Sequence, residues 1–362
     1  MHGRVAVSVI GLALASLSCD KSPTGPEPVK DPRTYTWTSD TLAYPGSLQT
    51  EMRDIWGSSA NDVYVVGHND RGFGKMFHYD GKQWKPVGLN PIEGGMIDGP
   101  IDLTSIYGFA GNDIWAVGER IDINPTPPPN FLDSSLIIHF DGMQWKENKV
   151  VGGRYLLSVW GSASNDIWTC GWNGTVFHFD GLSWKRDSVP VSIPAGGEFV
   201  LWGVNGKSSQ DIFMVGYVHE NNLAKTTPYF LRRTTRTWTV VDSFVIQPGQ
   251  VEVKFGQNGL WVSPSGSLYS FGPNIYRWNG STWSIVYVTF DALRRMAGTS
   301  DDNMFAVGDF GNVFHYNGID WFQYEGLKDL NVVYSGIWTN GKEAFIVGYT
   351  NDGGKTVILH GK

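Results

Sequence analysis

Residues Ile137–Lys146 read IIHFDGMQWK, and three further segments of the chain follow the same pattern. They begin at Met76 (MFHYDGKQWK), Val176 (VFHFDGLSWK) and Val313 (VFHYNGIDWF). In each segment an apolar run is followed by Asp-Gly or Asn-Gly and then by an aromatic strand, which predicts a hairpin with a two-residue turn. A segment that recurs this often indicates a repeat architecture.

Alignment on the His of this segment extends the repeat to seven units. The aligned positions are His78, His139, His178, Arg232, Arg277, His315 and His360. Six residues after each of the first six stands a Trp, at Trp84, Trp145, Trp184, Trp238, Trp283 and Trp321. Upstream, each unit carries a version of DIWGSSANDVYVVG, of which the fifth, KFGQNGLWVSPSG, is the most divergent. Seven units of roughly 47 residues fall within the range of known repeats.

Each unit is predicted to form four short strands, A to D, with strand A innermost. Seven such units predict an all-β fold, a seven-bladed β-propeller of four-stranded blades. The seventh unit ends at Lys362 before its Trp strand, whereas the segment TYTWTSDTL at 34–42 places Trp37 in that slot. We therefore expect the N-terminal strand to complete the last blade beside the C-terminal strand.

The first residues have the features of a targeting segment. Arg4 and the apolar run 5–17 predict a signal peptide over residues 1–18. The run ends in SLSC, which resembles the lipobox of bacterial lipoproteins and implies lipidation of Cys19, although Ser16 stands where the lipobox has Leu. Residues 19–33 are predicted to be a Pro-rich tether and 34–362 the propeller. The expected location is extracytoplasmic, lipid-anchored to the bacterial outer membrane or cell surface; secretion after plain cleavage is the alternative.

The repeated polar residues are interpreted as structural. One His in each of five blades cannot converge on one metal ion, so we predict no metal site and no cofactor. The Asp before strand B, at Asp62, Asp113, Asp166 and Asp211, is expected to cap its own turn through the backbone. Cys170 is predicted to be a buried core residue without a disulfide partner.

The pattern WG…DVWAVG…HYDGxxW resembles the propeller repeats of secreted and lipid-anchored bacterial proteins over residues 34–362. A more distant resemblance is to the photosystem II assembly-factor propellers and to the sialidase Asp-box. WNGSTW at 278–283 keeps the Gly, Thr and Trp of the Asp-box but lacks its Ser and its spacing. These resemblances imply the fold and name no activity.

The loops predict where function lies. The A–B and C–D turns share one face and are nearly constant in sequence. The B–C and D–A loops share the opposite face and vary. They include the insertions ERIDINPTPPPNFLDSS (119–135) and YVHENNLAKTTPY (217–229). We call this opposite face the variable face. Long loops on a rigid scaffold often carry function. The alternative is that the insertions are merely tolerated.

The candidate ligand-binding residues lie on this face. Those that directly follow strand B are His68, Glu119, Trp172, Tyr217, Asp309 and Tyr349. Trp172 lies outside the repeat slots, and an exposed Trp suits stacking on a sugar or anchoring a protein partner; packing under a neighbouring loop is the alternative. Arg53 and Arg294, like Lys254 and Arg295, lie near strand A starts, where they are expected to bind an anionic group, to be solvated or to pair with Asp54 and Glu252.

The sequence contains no Gly-x-Ser-x-Gly, His-Glu-x-x-His, Walker or Cys-x-x-Cys motif. Its net charge of −7 gives no basic footprint for nucleic acid. We predict a monomeric, non-catalytic propeller that binds a protein or a glycan at the cell envelope. The alternatives are a carbohydrate-active hydrolase or lyase with an acidic site on the variable face, and a structural component of an envelope complex. A deep funnel with two carboxylates about 5 to 10 Å apart favours the enzyme, and a shallow face with exposed aromatic residues favours binding.

Overall fold

The computed structural model describes residues 30–126, 131–220, 225–246 and 253–362. Within these ranges, 28 strands form seven four-stranded antiparallel sheets, which confirms the seven-bladed β-propeller. The predicted signal peptide, Cys19 and nearly all of the tether lie outside the described residues. Among the described residues, no helix is long and apolar enough to cross a bilayer.

Blades one to three each run outward from strand A to strand D. Their strands are β2 (Thr50–Ser59), β3 (Asp62–Asn69), β4 (Met76–Tyr79) and β5 (Trp84–Pro86); β6 (Ile101–Ala110), β7 (Asp113–Ile123), β8 (Phe131–Phe140) and β9 (Trp145–Glu147); and β10 (Leu156–Ala163), β11 (Asp166–Gly171), β12 (Val176–Phe179) and β13 (Trp184–Asp187).

Blades four to six follow the same order. Their strands are β14 (Gly197–Ser208), β15 (Asp211–Glu220), β16 (Lys225–Thr234) and β17 (Thr237–Ser243); β18 (Gly259–Val262), β19 (Leu268–Phe271), β20 (Asn274–Trp278) and β21 (Trp283–Val288); and β22 (Leu293–Ser300), β23 (Asn303–Gly308), β24 (Val313–Tyr316) and β25 (Trp321–Gln323). Short 3-10 helices lie at Pro32–Thr34, Pro91–Glu93, Asp309–Gly311 and Glu325–Leu327.

Blade seven closes the ring with both ends of the described chain. It contains β26 (Val332–Thr339), β27 (Ala344–Thr350) and β28 (Thr356–Gly361), and its outer strand is β1 (Trp37–Leu42). β1 pairs with β28 in a register that places Trp37 opposite Gly361. The prediction that the N-terminal strand completes the last blade is therefore confirmed.

The repeated His takes part in a contact within its own blade. His78 Nε2 lies 2.7 Å from Asp62 Oδ1, and the His78 ring stacks on Tyr64 with 4.2 Å between centroids. His139 with Asp113 and His178 with Asp166 repeat the contact at 2.7 and 2.6 Å. In blade four Arg232 replaces the His and forms a fork with Asp211. The prediction that these Asp residues cap their own turn backbones was wrong, because each carboxylate reaches the His or Arg on strand C instead.

The C–D turn differs from the predicted two-residue hairpin. Four residues, 80–83, connect β4 to β5. Asp80 Oδ1 accepts hydrogen bonds from the amides of Lys82 and Gln83, both at 3.0 Å. Gly81 has a φ of +86°, a conformation that Gly adopts without steric cost. The Asp-Gly pair therefore opens a longer turn stabilised by the Asp side chain.

The core lies between the blades as well as within them. Trp145 of blade two meets Tyr64 of blade one edge-on, with 6.2 Å between ring centroids. Trp184 packs in the same way on Trp115, and Trp238 on Trp168. Cys170 is a free, fully buried thiol within this packing, as predicted. The Trp of strand D therefore joins each of these blades to the preceding one.

Candidate functional site at the channel mouth

A β-bulge near the start of strand A shapes the channel end on the variable face. In blades one, two, three, four, six and seven the pairing of strands A and B shifts by one residue there. A bulge re-aims the side chain of its extra residue. The extra residues are Arg53, Thr104, Leu157, Trp202, Arg294 and Ser335. We call the channel end that they surround the mouth.

Arg53 links two blades that are not neighbours in the ring. Its Nη1 donates a hydrogen bond of 2.9 Å to the hydroxyl of Tyr155, which precedes strand A of blade three. Its Nη2 lies 3.4 Å from the Glu51 carboxylate in its own strand. The guanidinium is thus held by two partners, one of them anionic, before any ligand binds.

His68 belongs to a buried ionic network. His68 Nδ1 lies 2.7 Å from Asp102 Oδ2, and Lys75 Nζ lies 3.0 Å from Asp102 Oδ1. Lys75 also donates to the Asn69 carbonyl at 2.7 Å, and its side chain is only 4% exposed. Burial acts to raise the pKa of Asp102, but hydrogen bonds and the charges of His68 and Lys75 outweigh it and lower the pKa. Asp102 is therefore an anion that joins blade two to blade one.

Glu119 lies directly opposite Asp102 in the pairing of β6 with β7. Burial, with added repulsion from Asp102 and Asp133, raises the pKa of Glu119 to about 7. The Glu119 carboxylate makes no hydrogen bond or ion pair within the described part of the chain. It is therefore a partly buried carboxyl at the variable face, with a pKa close to neutral pH.

Arg294 and Asp309 are partners of each other. The Arg294 guanidinium makes a bidentate contact with the Asp309 carboxylate, with hydrogen bonds of 2.7 and 3.0 Å. Burial raises the pKa of the nearby Tyr349, and the charges of Arg294 and Arg53 act in the opposite direction. Three predicted residues from blades six and seven are thus brought together beside Arg53 of blade one.

Trp172 lies at the boundary of blades three and four. Its amide donates to the Tyr155 carbonyl at 2.8 Å, and its backbone forms a β-bridge with Val200. The side chain is partly buried rather than fully exposed. It lines a pocket of about 220 Å³ together with Arg154, Asn173 and Glu198. Trp172 is therefore partly accessible to a ligand in this pocket.

Trp202 and Tyr217 extend this aromatic region toward the channel. Tyr217 is paired with Val200, the bridge partner of Trp172. The Trp202 and Tyr217 rings are 6.4 Å apart, and both side chains are partly exposed. Blades three and four thus present aromatic residues, whereas blades six, one and two present charged ones, with Tyr349 of blade seven among them.

The channel is narrowed directly below the mouth. Asp54 Oδ2 accepts hydrogen bonds from Ser105 Oγ at 2.9 Å and from the Ile106 amide at 3.0 Å. Arg295 of blade six forms an ion pair with the same carboxylate, which is the pairing weighed as an alternative for this arginine. The cavity at this level is about 240 Å³, smaller than most small-molecule pockets. The mouth is therefore shallow.

The eight predicted binding residues thus fall in two groups on one face. Arg53, His68, Glu119, Arg294, Asp309 and Tyr349 lie in the charged part, and Trp172 and Tyr217 lie in the aromatic part. The arginines expected to take an anion already have carboxylate partners, Glu51 and Asp309. Their binding roles remain predictions, but a free anion site does not follow from their surroundings.

Three residues of the mouth were missed from the sequence. Trp202 was assigned to a repeat slot, although it stands where Arg53 and Arg294 stand, four residues before a Gly near the end of strand A. That spacing is the signal that identifies it. Asp102 and Tyr155 lie in D–A loops or at strand starts of variable sequence, where alignment of the units gives no signal.

No protein-family model matches the chain, and no curated protein matches it. Solved propeller structures are similar to it. YCF48 bound to a D1 peptide aligns with a TM-score of 0.57 at 14% identity, over 90% of this chain and 94% of that one. YCF48 from Cyanidioschyzon merolae gives 0.54 at 13%, over 88% and 98%. The Cps50 (Swd1) propeller of Myceliophteria thermophila gives 0.54 at 11%, over 89% and 99%. At these identities the likeness shows a shared fold.

Proposed function

We propose that this chain is a non-catalytic propeller that binds a protein partner at the mouth on its variable face. The observation that carries the proposal is the convergence of Arg53, Trp202 and Trp172, from three different blades, around one shallow mouth. Partly exposed Trp, Tyr and Arg side chains are those that dominate protein interfaces. Because Arg53 is already held by Tyr155 and Glu51, little side-chain entropy is lost when a partner binds.

The structural neighbours support a protein partner. One of them, YCF48, was solved with a D1 peptide bound, so a propeller of this fold is able to take a peptide. The shallow mouth above Asp54 and Arg295 suits an extended or loop segment better than a deeply enclosed small molecule.

A glycan is the second candidate ligand. The pocket beside Trp172 combines an aromatic ring with the polar side chains of Arg154, Asn173 and Glu198. Its volume of about 220 Å³ suits one sugar ring, and aromatic stacking with flanking polar groups is how such a ring is held. Glycan binding would involve Trp172 without requiring Arg294.

The paired carboxyls of Asp102 and Glu119 favour the enzyme alternative. Their pKa values are moved in opposite directions, which is the arrangement of an acid and its anionic partner. However, Asp102 is buried and already bound by Lys75 and His68, so it is not free to attack a substrate or to activate water. For this reason we favour binding over catalysis.

The test is affinity capture from envelope extract with quantitative mass spectrometry, using the chain from residue 30 as bait. We expect a specific protein whose enrichment falls at least tenfold in Trp202→Ala and Arg53→Ala. The matched control is Met143→Ala, an exposed residue of a C–D turn on the opposite face. Equal enrichment by all four baits would refute the proposal, and a glycan-array signal lost only in Trp172→Ala would select the glycan.

We propose further that the protein is displayed outside the cytoplasm through a lipid on Cys19. The support is the apolar run 5–17 followed by SLSC. Mass spectrometry of the protein purified from membranes is expected to find a lipidated N-terminal peptide that Cys19→Ser abolishes. An unmodified mature N-terminus in the soluble fraction would instead indicate secretion.

A further inference from the structure

The outer strand of blade five differs from those of blades one to three. β21 has six residues, Trp283–Val288, whereas β5, β9 and β13 have three or four. In blades one to three a Lys follows the strand-D Trp and pairs with the Asp of the C–D turn. Blade five has Ser284 and Asn279 in these positions, so this ion pair is absent. β21 is therefore, like β17 of blade four, a longer outer strand without the ion pair of blades one to three.

The side chains of β21 and the loop after it are apolar and exposed. Ile285 is 52% exposed, Val288 59% and Phe290 99%. As the last strand of its sheet, β21 also has an edge of backbone amide and carbonyl groups that no other described strand pairs with. Proteins usually protect such edges with lysines, short strands or a cover. An uncharged, apolar edge is a template for adding another strand.

A cleft lies beside this edge, between blades five and six. In blades two to four the strand-D Trp packs on the strand-B aromatic residue of the preceding blade. Trp321 of blade six packs instead against Tyr287 of β21, with 5.2 Å between ring centroids. The space between Trp321 and Tyr269 is a cleft of about 460 Å³, which we call the blade-five cleft.

Val286 connects the edge to the blade-five cleft. The pairing of β20 with β21 shifts by one residue, which leaves Val286 as the extra residue of a bulge. Val286 lines the cleft together with Tyr316. A side chain from a strand added to β21 would therefore lie next to an apolar, aromatic space large enough to hold it.

The rim of the blade-five cleft is acidic. Asp301 and Asp302 lie in the A–B turn of blade six and line the cleft with a single cation, Arg277. The closest approach of Arg277 to Asp301 is 3.7 Å, and the buried Asp301 Oδ1 has no hydrogen-bond partner among the residues that the structure describes. Two carboxylates against one guanidinium leave one negative charge, which favours a basic residue in a ligand.

We propose that β21 and the blade-five cleft form a second protein-binding surface, which takes an extended peptide segment of a partner as a fifth strand of blade five. The segment carries an apolar or aromatic side chain that enters the cleft and a basic residue that meets Asp301 and Asp302. A second copy of the chain fits less well. The exposed apolar area of β21 with Phe290 is on the order of 400 Å², about half of what each partner buries in a stable interface.

The experiment is selection of random seven-residue peptides displayed on phage against the full chain, followed by fluorescence anisotropy with the enriched peptides. We expect sequences that alternate apolar residues and include Lys or Arg. Ile285→Lys should weaken their binding at least tenfold, because a charge on the edge opposes strand addition. Asp302→Asn should weaken it about threefold and reduce its dependence on salt.

Three further variants complete the test: the controls Thr239→Lys and Trp202→Ala, and the second test variant Ser284→Lys. Thr239→Lys adds the same charge at the position equivalent to Ser284 in β17 of blade four and should leave binding unchanged. Ser284→Lys restores the residue of blades one to three; it should weaken binding and provides a second variant if Ile285→Lys misfolds. Trp202→Ala should have no effect, which separates this surface from the mouth.

Three outcomes would overturn the proposal. One is that selection on the wild-type chain enriches no peptide more strongly than selection on the Ser284→Lys variant does. Another is that the selected peptides bind Ile285→Lys as tightly as the wild type. The third is a dimer in analytical ultracentrifugation that Ile285→Lys abolishes, which would show that a second copy covers β21.

Discussion

Arg53 of blade one and Tyr155 of blade three are joined by a hydrogen bond of 2.9 Å between Nη1 and the phenol oxygen. The Tyr155 carbonyl in turn accepts the amide of Trp172 at 2.8 Å. This chain of contacts connects the charged part of the mouth to its aromatic part. The two parts therefore form one surface, and a ligand that contacts both meets at least two blades.

Lys75 should be important for stability because it is the buried cation of the Asp102 network. Lys75→Ala is expected to lower the free energy of unfolding by about 3 kcal/mol, since it leaves the buried Asp102 carboxylate with His68 alone. Urea denaturation measures the difference. Lys185→Ala is the control, because the Lys185–Asp180 pair is exposed to solvent and should contribute little to stability. If the two variants lose the same free energy of unfolding, the buried Lys75–Asp102 pair contributes no more to stability than an exposed pair does.

Glu119 predicts a specific dependence of stability on pH. Its pKa of about 7 in the folded protein lies above its ordinary value of 4.5, so folding favours the protonated carboxyl. The stabilisation is full below pH 4.5 and is lost as the pH rises to 7. Because the site is partly solvated, we expect a loss of only about 1 to 2 kcal/mol over this range.

The variant Glu119→Gln isolates this effect. It should match the wild type near pH 4 and be more stable above pH 7, because the amide cannot ionise. Urea denaturation at pH 4, 5.5, 7 and 8 measures both proteins. A constant difference between them at all four values would mean that Glu119 titrates normally.

The repeated His of blades one to three should stabilise its blade through its contact with the Asp of strand B. His178 lies 2.6 Å from Asp166 and stacks on Trp168 with 4.0 Å between ring centroids. His178→Ala is expected to cost about 1 to 2 kcal/mol of stability, since it leaves Asp166 without this partner. His178→Arg should cost less, because Arg232 fills the same slot in blade four. Thermal unfolding of both variants tests this order, and a larger loss for Arg than for Ala would contradict it.

Ring closure should depend on β1. A chain that starts at residue 43 lacks β1 and leaves the edge of β28 unpaired, whereas a chain that starts at residue 30 retains it. We expect the shorter chain to unfold at a lower temperature and to aggregate, because an open edge recruits other strands. Differential scanning calorimetry and light scattering compare the two. Identical unfolding would show that the ring does not require this strand.

The fold could be predicted from the sequence because every blade repeats a similar set of packing contacts. The Trp of strand D and the His of strand C recur at constant spacing, and both are fixed by contacts inside or between blades. The Asp of strand B was assigned the wrong partner, because spacing along the chain does not show that its carboxylate meets His78 across the sheet. A similar limit applies to the C–D turn, whose length depends on the side-chain hydrogen bonds of Asp80.

The candidate site was predicted only in part. Residues that follow strand B lie on one face, because the position after a strand is fixed by the repeat, and their binding roles stay predictions. Their partners come from other blades and from loops without repeated sequence, as with Arg53 and Tyr155 or His68 and Asp102. Such pairs form because the closed ring brings different blades together, and the sequence of one repeat does not show which residues of other blades it will meet.

Site-specific photo-crosslinking in cells that naturally make this protein tests binding at the variable face most directly. A photoreactive phenylalanine analogue replaces Trp202 or Tyr217 at the mouth, and Met143 or Leu182 in the C–D turns of the opposite face, where both side chains are more than 80% exposed. We predict discrete protein adducts from the two mouth positions and none from the two turn positions. Adducts from the turn positions alone, or none from the mouth, would contradict protein binding at this face.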